Sequence, residues 1–266
     1  MSGLALASPF GALSLLLRIG SAGVVISSLE SLVRWRDLGP GGLLDGEVPL
    51  TRARWLARLS FLAPWQVAVT LIGVRLLAAC VLLGGGGLFE VARAGAVTLA
   101  VTTMALRLRT PLGIHAIGAM VMITFTAAAL GLAVGTRLAM EFALGFVAGQ
   151  ACLSYCVAGL TKLREPLWRT GAAIPIISAT LMWGNGRAAA ALKNHHGLGL
   201  ALCWLTIAGE CSIVTVLAVP LPVAVALLSA ALVFHLFNAA GMGLNNFVWS
   251  HASTYPAILF CWYFLH

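Results

Sequence analysis

Long apolar segments separated by short polar ones follow one another along most of the chain. Each is close to the roughly 20 residues that an α-helix needs to cross the hydrocarbon core of a bilayer. The segments are rich in Ala, Leu and Gly, and they lack the strict alternation that the strands of a membrane barrel show. The pattern predicts about eight membrane-spanning helices, at residues 11–32, 65–83, 88–106, 114–134, 141–163, 198–219, 223–242 and 247–265.

One further apolar segment is too short to cross a membrane. Residues 172–183 number only about 12, and Pro175 interrupts them. Basic residues lie on both sides of the segment, at Arg169 and Arg187. We therefore expect residues 172–183 to be re-entrant or to lie at the membrane interface.

The composition supports a membrane protein. Hydrophobic residues make up 61% of the chain and charged residues 9%, whereas soluble domains carry about 25% charged residues. One soluble core of this size could not bury so much apolar surface, but a helical bundle in a bilayer can accept it. We expect a single all-α domain over residues 1–266, a polytopic bundle in a cell membrane with the lipid bilayer as its partner.

The net charge of +8 comes from 16 basic and 8 acidic residues, and the basic ones lie mainly in the loops. Basic loops determine membrane topology and contact anionic lipid headgroups. Because no nucleic-acid-binding motif is present, we expect no nucleic acid as partner. The first, third and fifth loops hold most of the Lys and Arg, which predicts that they are cytoplasmic and that the N-terminus is outside.

The cysteines and the paired histidines do not indicate a metal site. Six cysteines occur, and most fall inside apolar segments without the spacing of a metal-binding pair. We interpret them as small buried hydrophobic residues. His195 and His196 have no acidic or cysteine partner at ligand spacing. The sequence therefore predicts no metal ligands.

Lys162 lies at the end of the fifth predicted span, one helical turn after Gly159. A lysine held in an apolar setting can act as a base near neutral pH. Gly159 allows another backbone or a ligand to approach the helix closely. A lysine at a helix end can instead extend its ammonium to the membrane interface, and spacing alone does not choose between the two interpretations.

Two histidines are further candidates. His235 and Asn238 lie three residues apart in the seventh span, so they share a helix face. Histidine can transfer a proton or bind an anion, and asparagine can orient a ligand oxygen; hydrogen bonding between helices is the alternative role. His115, near the start of the fourth span, is a weaker candidate, since a histidine there is typical of the interface.

A polar group leads into the last predicted span. Its members serve either a functional site or the capping of that helix: Asn245, Asn246, Trp249, His251 and Tyr255.

Residues 155–163 together with Trp168 resemble a known family. Their tyrosine, alanine-glycine, lysine-leucine and tryptophan pattern is similar to that of the HTTM domain, the membrane domain of vitamin K-dependent γ-glutamyl carboxylase and of small bacterial relatives. His235 followed by Asn238 resembles the second signature of the family. Residues 18–20 and 44–49 also resemble its first helix and the loop after it.

The resemblance implies a role for each matching residue. Lys162 matches the base that deprotonates a reduced quinone, and Tyr155, Gly159, Trp168 and Asn238 match positions around that cofactor. His235 matches a histidine near the same cavity. His115 matches, less closely, a histidine that assists carboxylation.

Two departures limit what the resemblance implies. The carboxylase has a large domain after its membrane part, for which this chain has no counterpart, and it has a second lysine where this chain has Thr161. The resemblance is therefore compatible with a membrane cavity shared with the family, and it leaves open whether glutamate carboxylation is retained.

Two functional hypotheses follow. The first is a bacterial HTTM-type membrane enzyme in the cytoplasmic membrane, with a quinol-like or lipid-soluble cofactor, Lys162 as base, and a peptide or small molecule as substrate. The second is a non-enzymatic accessory for the maturation or immunity of a secreted peptide toxin, acting with a small partner protein.

Overall fold

The structure is a computed structural model that describes residues 6–42, 44–45, 56–109, 116–181, 184–193 and 195–266. These residues are predominantly helical and include no β-strand. The α-helices are α1 (Pro9–Val33), α2 (Trp65–Gly85), α3 (Phe89–Arg109), α4 (Ala116–Val134), α5 (Arg137–Arg164), α6 (Pro166–Arg169), α7 (Ala173–Ser178), α8 (Gly186–Lys193), α9 (His196–Ser212), α10 (Leu221–Met242), α11 (Asn245–Ala252) and α12 (Tyr255–Leu265). Short 3₁₀ helices cover Trp35–Leu38, Leu56–Leu62 and Ile213–Leu217.

Helix length and hydropathy confirm an all-α, multi-pass membrane protein. Within the described residues, six segments are long and apolar enough to cross a membrane: Pro9–Val33, Trp65–Gly85, Phe89–Arg109, Arg137–Arg164, His196–Leu217 and Leu221–Met242. They coincide with six of the predicted spans. The fourth predicted span is shorter, with an apolar part at Gly118–Val134, so the total of about eight stays a prediction.

The last predicted span is two helices rather than one. Residues 247–265, expected to form a continuous helix, are divided between α11 and α12 by a turn at Ser253 and Thr254. Pro256 has no N–H to continue the hydrogen bonding of α11, and its ring disfavours a helical residue before it. The hydroxyl of Thr254 donates to the His251 carbonyl at 2.7 Å, which satisfies a backbone group at the end of α11.

The short apolar segment 172–183 contains only α7, whose six residues are too few to cross a bilayer. Residues 182 and 183 lie outside the described part of the chain. The re-entrant or interfacial position of this segment stays a prediction.

Helix α1 lies at the centre of the bundle, where it packs against α2, α5, α11 and α12. Small residues on its buried face include Gly20, Ser21 and Gly23. Gly20 lies against the ring of Phe125 on α4, and Gly23 lies against Trp249 on α11. Small side chains let membrane helices approach closely, since dispersion contacts rather than the hydrophobic effect hold them together.

Successive long helices run in alternating directions. The hydroxyl of Ser14, near the start of α1, donates to the carbonyl of Gly86, just past the end of α2, at 2.6 Å. Beyond the opposite end of α1, the Trp35 ring lies 5.7 Å from that of Trp65, the first residue of α2. The alternation brings the last turns of α1, α3 and α5 to one end of the bundle. We call this the basic end, because of Arg34, Arg36, Arg107, Arg109 and Arg164.

Candidate functional site

A cavity of about 350 Å³ lies near the basic end, bounded by α5, α9, α10 and α11 and by the short helices α6 and α7. Its wall combines apolar and aromatic side chains with a few polar groups, as is typical of ligand pockets. The described residues that line it are Ser154, Tyr155, Ala158, Lys162, Trp168, Ile174, Ile177, Ser178, Thr206, Glu210, Phe234, His235, Asn238, Met242, Leu244, Phe247 and His251.

A lysine and a glutamate from different helices form an ion pair in the wall of this cavity. Lys162 lies in the last turn of α5, and its Nζ lies 2.7 and 2.9 Å from the two carboxylate oxygens of Glu210 on α9. The two side chains are only 22% and 10% exposed. The Nζ also lies 5.2 Å from the centre of the Trp168 ring, within the range of a cation–π contact. The charge of Lys162 is therefore held inside the bundle.

Gly159 brings α5 and α9 close enough for this pair to form. A Cβ atom at Gly159 would lie 2.6 Å from Cys211 Sγ, 3.0 Å from the Cys211 backbone nitrogen and 3.2 Å from Glu210 Cβ. The absence of a side chain therefore permits a close approach at this position, and the neighbours are the side chain and backbone of Cys211 on α9. Gly159 is not among the described residues that line the cavity.

Replacing Gly159 by alanine is expected to lower the free energy of unfolding by about 2 kcal/mol, because the new methyl group forces α9 away from α5. Gly145→Ala is the matched control on the same helix, since a Cβ there meets nothing within 4 Å. Alanine has a higher helix propensity than glycine, so Gly145→Ala is expected to leave stability unchanged or to raise it by up to about 1 kcal/mol.

The measurement is thermal unfolding in detergent, followed by the reaction of a thiol dye with Cys152 and Cys203, which are free and buried in the folded protein. Equal stability of the Gly159→Ala and Gly145→Ala proteins would contradict the steric role of Gly159.

A tyrosine and a histidine form the second polar contact of the cavity. The Tyr155 hydroxyl lies 2.6 Å from His235 Nε2 and 3.5 Å from the Tyr255 hydroxyl. The other ring nitrogen of His235, Nδ1, is buried and has no hydrogen-bond partner among the described residues. A buried polar atom without a partner is unfavourable, and a polar atom of a bound ligand would relieve this.

A second histidine stacks on the first. The rings of His251 and His235 lie 4.3 Å apart between centroids. Nδ1 of His251 lies 3.0 Å from the Phe247 carbonyl oxygen, which can only accept, so this nitrogen carries the hydrogen. In the neutral ring Nε2 is then left as an acceptor.

The structure brings most of the predicted site residues together, although their roles are predictions. Five of them line the same cavity: Lys162, Tyr155, Trp168, His235 and Asn238. Gly159 lies behind the wall, at the contact between α5 and α9. His115 lies outside the described residues.

Sequence reasoning missed Glu210 as the partner of Lys162. A signal was present, because Glu210 is the only acidic residue between residues 198 and 219, and an ionisable residue inside an apolar segment is usually functional or paired. Of the polar group before the last helix, His251 lines the cavity, while the Asn245 side chain donates to Glu30 at 3.1 Å. These two members of the group therefore have different surroundings, the cavity for His251 and helix α1 for Asn245.

Comparison of the chain with protein-family models, curated proteins and solved structures finds no match.

Proposed function

We propose that this chain is an HTTM-type membrane enzyme of the bacterial cytoplasmic membrane, which binds a quinol-like or other lipid-soluble molecule and acts on a peptide or small substrate. The observation that carries the proposal is that Lys162 and His235, far apart in the chain, line one cavity. Its volume of about 350 Å³ lies within the range of pockets for small ligands, roughly 300–1,000 Å³.

Lys162 is the base in this proposal, and Glu210 enables it to act. The ammonium must lose a proton before it can accept one, and a carboxylate oxygen lies 2.7 Å away. Transfer of that proton leaves a neutral amine beside a neutral carboxylic acid, a state that an apolar cavity tolerates.

The neutral amine of Lys162 would be the group placed to accept a proton from a reduced quinone held in this cavity, which would supply a weakly acidic hydroxyl. An ammonium and an anion formed side by side would add no net charge, and the low dielectric of the bundle would favour their pairing.

His235, Tyr155 and Asn238 orient the ligand. Nδ1 of His235 has no described partner and is available to a ligand hydroxyl or carbonyl, while Nε2 lies 2.6 Å from the Tyr155 hydroxyl. Trp168 and Phe247 also line the cavity and would offer aromatic surface to the apolar body of a quinol ring.

The test uses a nitro-substituted naphthol, a lipid-soluble hydroxyl compound whose anion absorbs visible light. Bound to the wild-type protein, it is expected to ionise at a pH about one unit lower than in detergent alone, because Lys162 accepts its proton. Lys162→Met is expected to bind the naphthol without this change. His235→Leu is expected to weaken binding about tenfold, since a ligand hydrogen bond is lost.

The matched control is Lys193→Met, because Lys193 is exposed on α8 and does not line the cavity. If naphthol bound to the Lys162→Met protein ionised at the same pH as naphthol bound to the wild type, the assignment of Lys162 as the base would be refuted. Failure of the wild-type protein to bind the naphthol would remove the quinol site and favour the non-enzymatic accessory function.

A further inference from the structure

A second cavity, of about 340 Å³, lies on the other side of α11, between α1, α2, α3 and α4. Helix α11 separates the two cavities. Phe247 and His251 line the Lys162 cavity, whereas Trp249 and Ser250 line the second one. The second cavity is therefore a distinct site, and an inference about it does not depend on the proposed quinol chemistry.

Three arginines line this second cavity, which we call the arginine cavity: Arg75, Arg107 and Arg109. None of the described residues that line it is acidic. Within the bilayer such charges are costly unless they have a partner. Among the described residues, no carboxylate forms an ion pair with any of the three arginines. The negative charge of Asp45 does attract the guanidinium of Arg109.

Arg75 is held by hydroxyl groups and has no ion-pair partner among the described residues. Its Nε donates to the Ser28 hydroxyl at 3.1 Å, and its second terminal nitrogen donates to the Ser27 hydroxyl at 3.3 Å. Hydroxyl groups position a guanidinium but carry no negative charge. Arg93, by contrast, forms an ion pair with Glu90 at 2.5 Å on its own helix.

Two buried hydroxyls of the arginine cavity also have no hydrogen-bond partner in the part of the chain that the structure describes. Thr103 on α3 and Thr124 on α4 are 5% and 1% exposed, and neither Oγ1 has a hydrogen-bond partner among the described residues. Unsatisfied buried hydroxyls are uncommon, because each loses its hydrogen bonds to water. Both residues line the cavity, so oxygen atoms of a ligand in it could accept their hydrogen bonds.

We propose that the arginine cavity binds a phosphate group, with Arg75 and Arg107 as its cationic partners and the two threonine hydroxyls as further donors. Guanidinium groups are suited to phosphate because their planar N–H groups bind two oxygens at once. The apolar part of the wall, which includes Val24, Ile72, Val121 and Phe125, accommodates an attached hydrocarbon portion. The phosphate is that of an anionic lipid headgroup or a free phosphate ion.

The experiment measures binding to the full-length protein in detergent with two probes, phosphatidylglycerol and inorganic phosphate, and with phosphatidylcholine as the zwitterionic reference. Phosphatidylglycerol is expected to bind at least about tenfold more tightly to the wild-type protein than to Arg75→Gln or Arg107→Gln. Arg93→Gln is the control, because Arg93 does not line the cavity. The affinity of this variant for phosphatidylglycerol is expected to equal that of the wild type.

The two sources of phosphate give different results. Binding of phosphatidylglycerol alone identifies a lipid headgroup, and arginine-dependent binding of inorganic phosphate identifies a soluble anion; either result supports the site. Equal binding by the wild-type, Arg75→Gln and Arg107→Gln proteins, or no binding of either probe, would overturn it.

Thr103→Val provides a readout that does not depend on the arginines. Valine has nearly the shape of threonine, so the exchange removes a hydroxyl that has no described partner. We expect the ligand-free protein to become more stable and phosphate binding to weaken. A variant that is less stable without ligand and unchanged in affinity would refute this role for Thr103.

Discussion

Lys162→Met is expected to lower the free energy of unfolding by about 3 kcal/mol, because it leaves Glu210 charged and unpaired inside the bundle. The Glu210 side chain is only 10% exposed, and Lys162 donates to both of its oxygens. Adding Glu210→Gln to Lys162→Met is expected to restore most of the lost stability, since the buried charge is then gone. The double variant should still fail to ionise a bound naphthol.

Measuring both stability and naphthol ionisation separates a structural role of the Lys162–Glu210 ion pair from a chemical one. The measurement is a double-mutant cycle of thermal unfolding on the wild type, Lys162→Met, Glu210→Gln and the double variant. Ionisation of the bound naphthol is followed on the same four proteins. Additive losses of stability in the double variant would contradict the ion pair. Arg164→Met serves as a control, because Arg164 is exposed one half-turn further along α5.

Arg109→Leu is expected to have an even larger effect on stability, a loss of about 4 kcal/mol. Arg109 is 2% exposed, and its guanidinium donates to the carbonyl oxygens of Leu44 at 2.8 Å, Leu38 at 2.9 Å and Ala63 at 3.1 Å. These carbonyls belong to described residues between α1 and α2, so one side chain at the end of α3 binds three positions there. Leucine would leave all three acceptors without this charged donor.

The matched control is Arg36→Leu, because Arg36 is exposed in the same segment. It removes the same charge and is expected to change stability by no more than about 0.5 kcal/mol. Arg109→Lys is expected to fall between wild type and Arg109→Leu, since an ammonium lacks the planar fork of the guanidinium. Comparable unfolding of Arg36→Leu and Arg109→Leu in the thiol assay would contradict the bridging role.

The two cavities divide the basic end of the bundle into regions of different electrostatics. The Lys162 cavity contains a cation balanced by Glu210, which suits proton transfer without net charge. The arginine cavity contains cations without a described carboxylate in its wall, which suits an anion. Helix α11 lies between them, so a ligand in one cavity contacts the same short helix as a ligand in the other.

The membrane helices could be predicted from the sequence, because apolar length is a local property. Six predicted spans coincide with segments long and apolar enough to cross a bilayer. The prediction of one helix over residues 247–265 was wrong. Its apolar composition is typical of a continuous span, but Pro256 interrupts the helical hydrogen bonding near the middle of the segment.

The candidate site could be predicted only in part. Lys162, His235 and Asn238 were predicted because polar groups inside apolar segments are costly, whereas Tyr155 was named only through the family resemblance. The same criterion applies to Glu210, but Lys162 and Glu210 are 48 positions apart. No periodicity within one helix indicates which residue of another helix it faces.

The class of protein, the approximate positions of its membrane helices and the polar residues in those helices can all be predicted from local stretches of sequence. They follow from hydrophobicity and helical period, which are local properties of the chain. Which polar residues meet depends on the fold: Lys162 pairs with Glu210, Tyr155 contacts His235, and arginines of α2 and α3 line a second cavity. Such pairings depend on how helices cross and how closely glycines let them approach, and this is a property of the whole bundle.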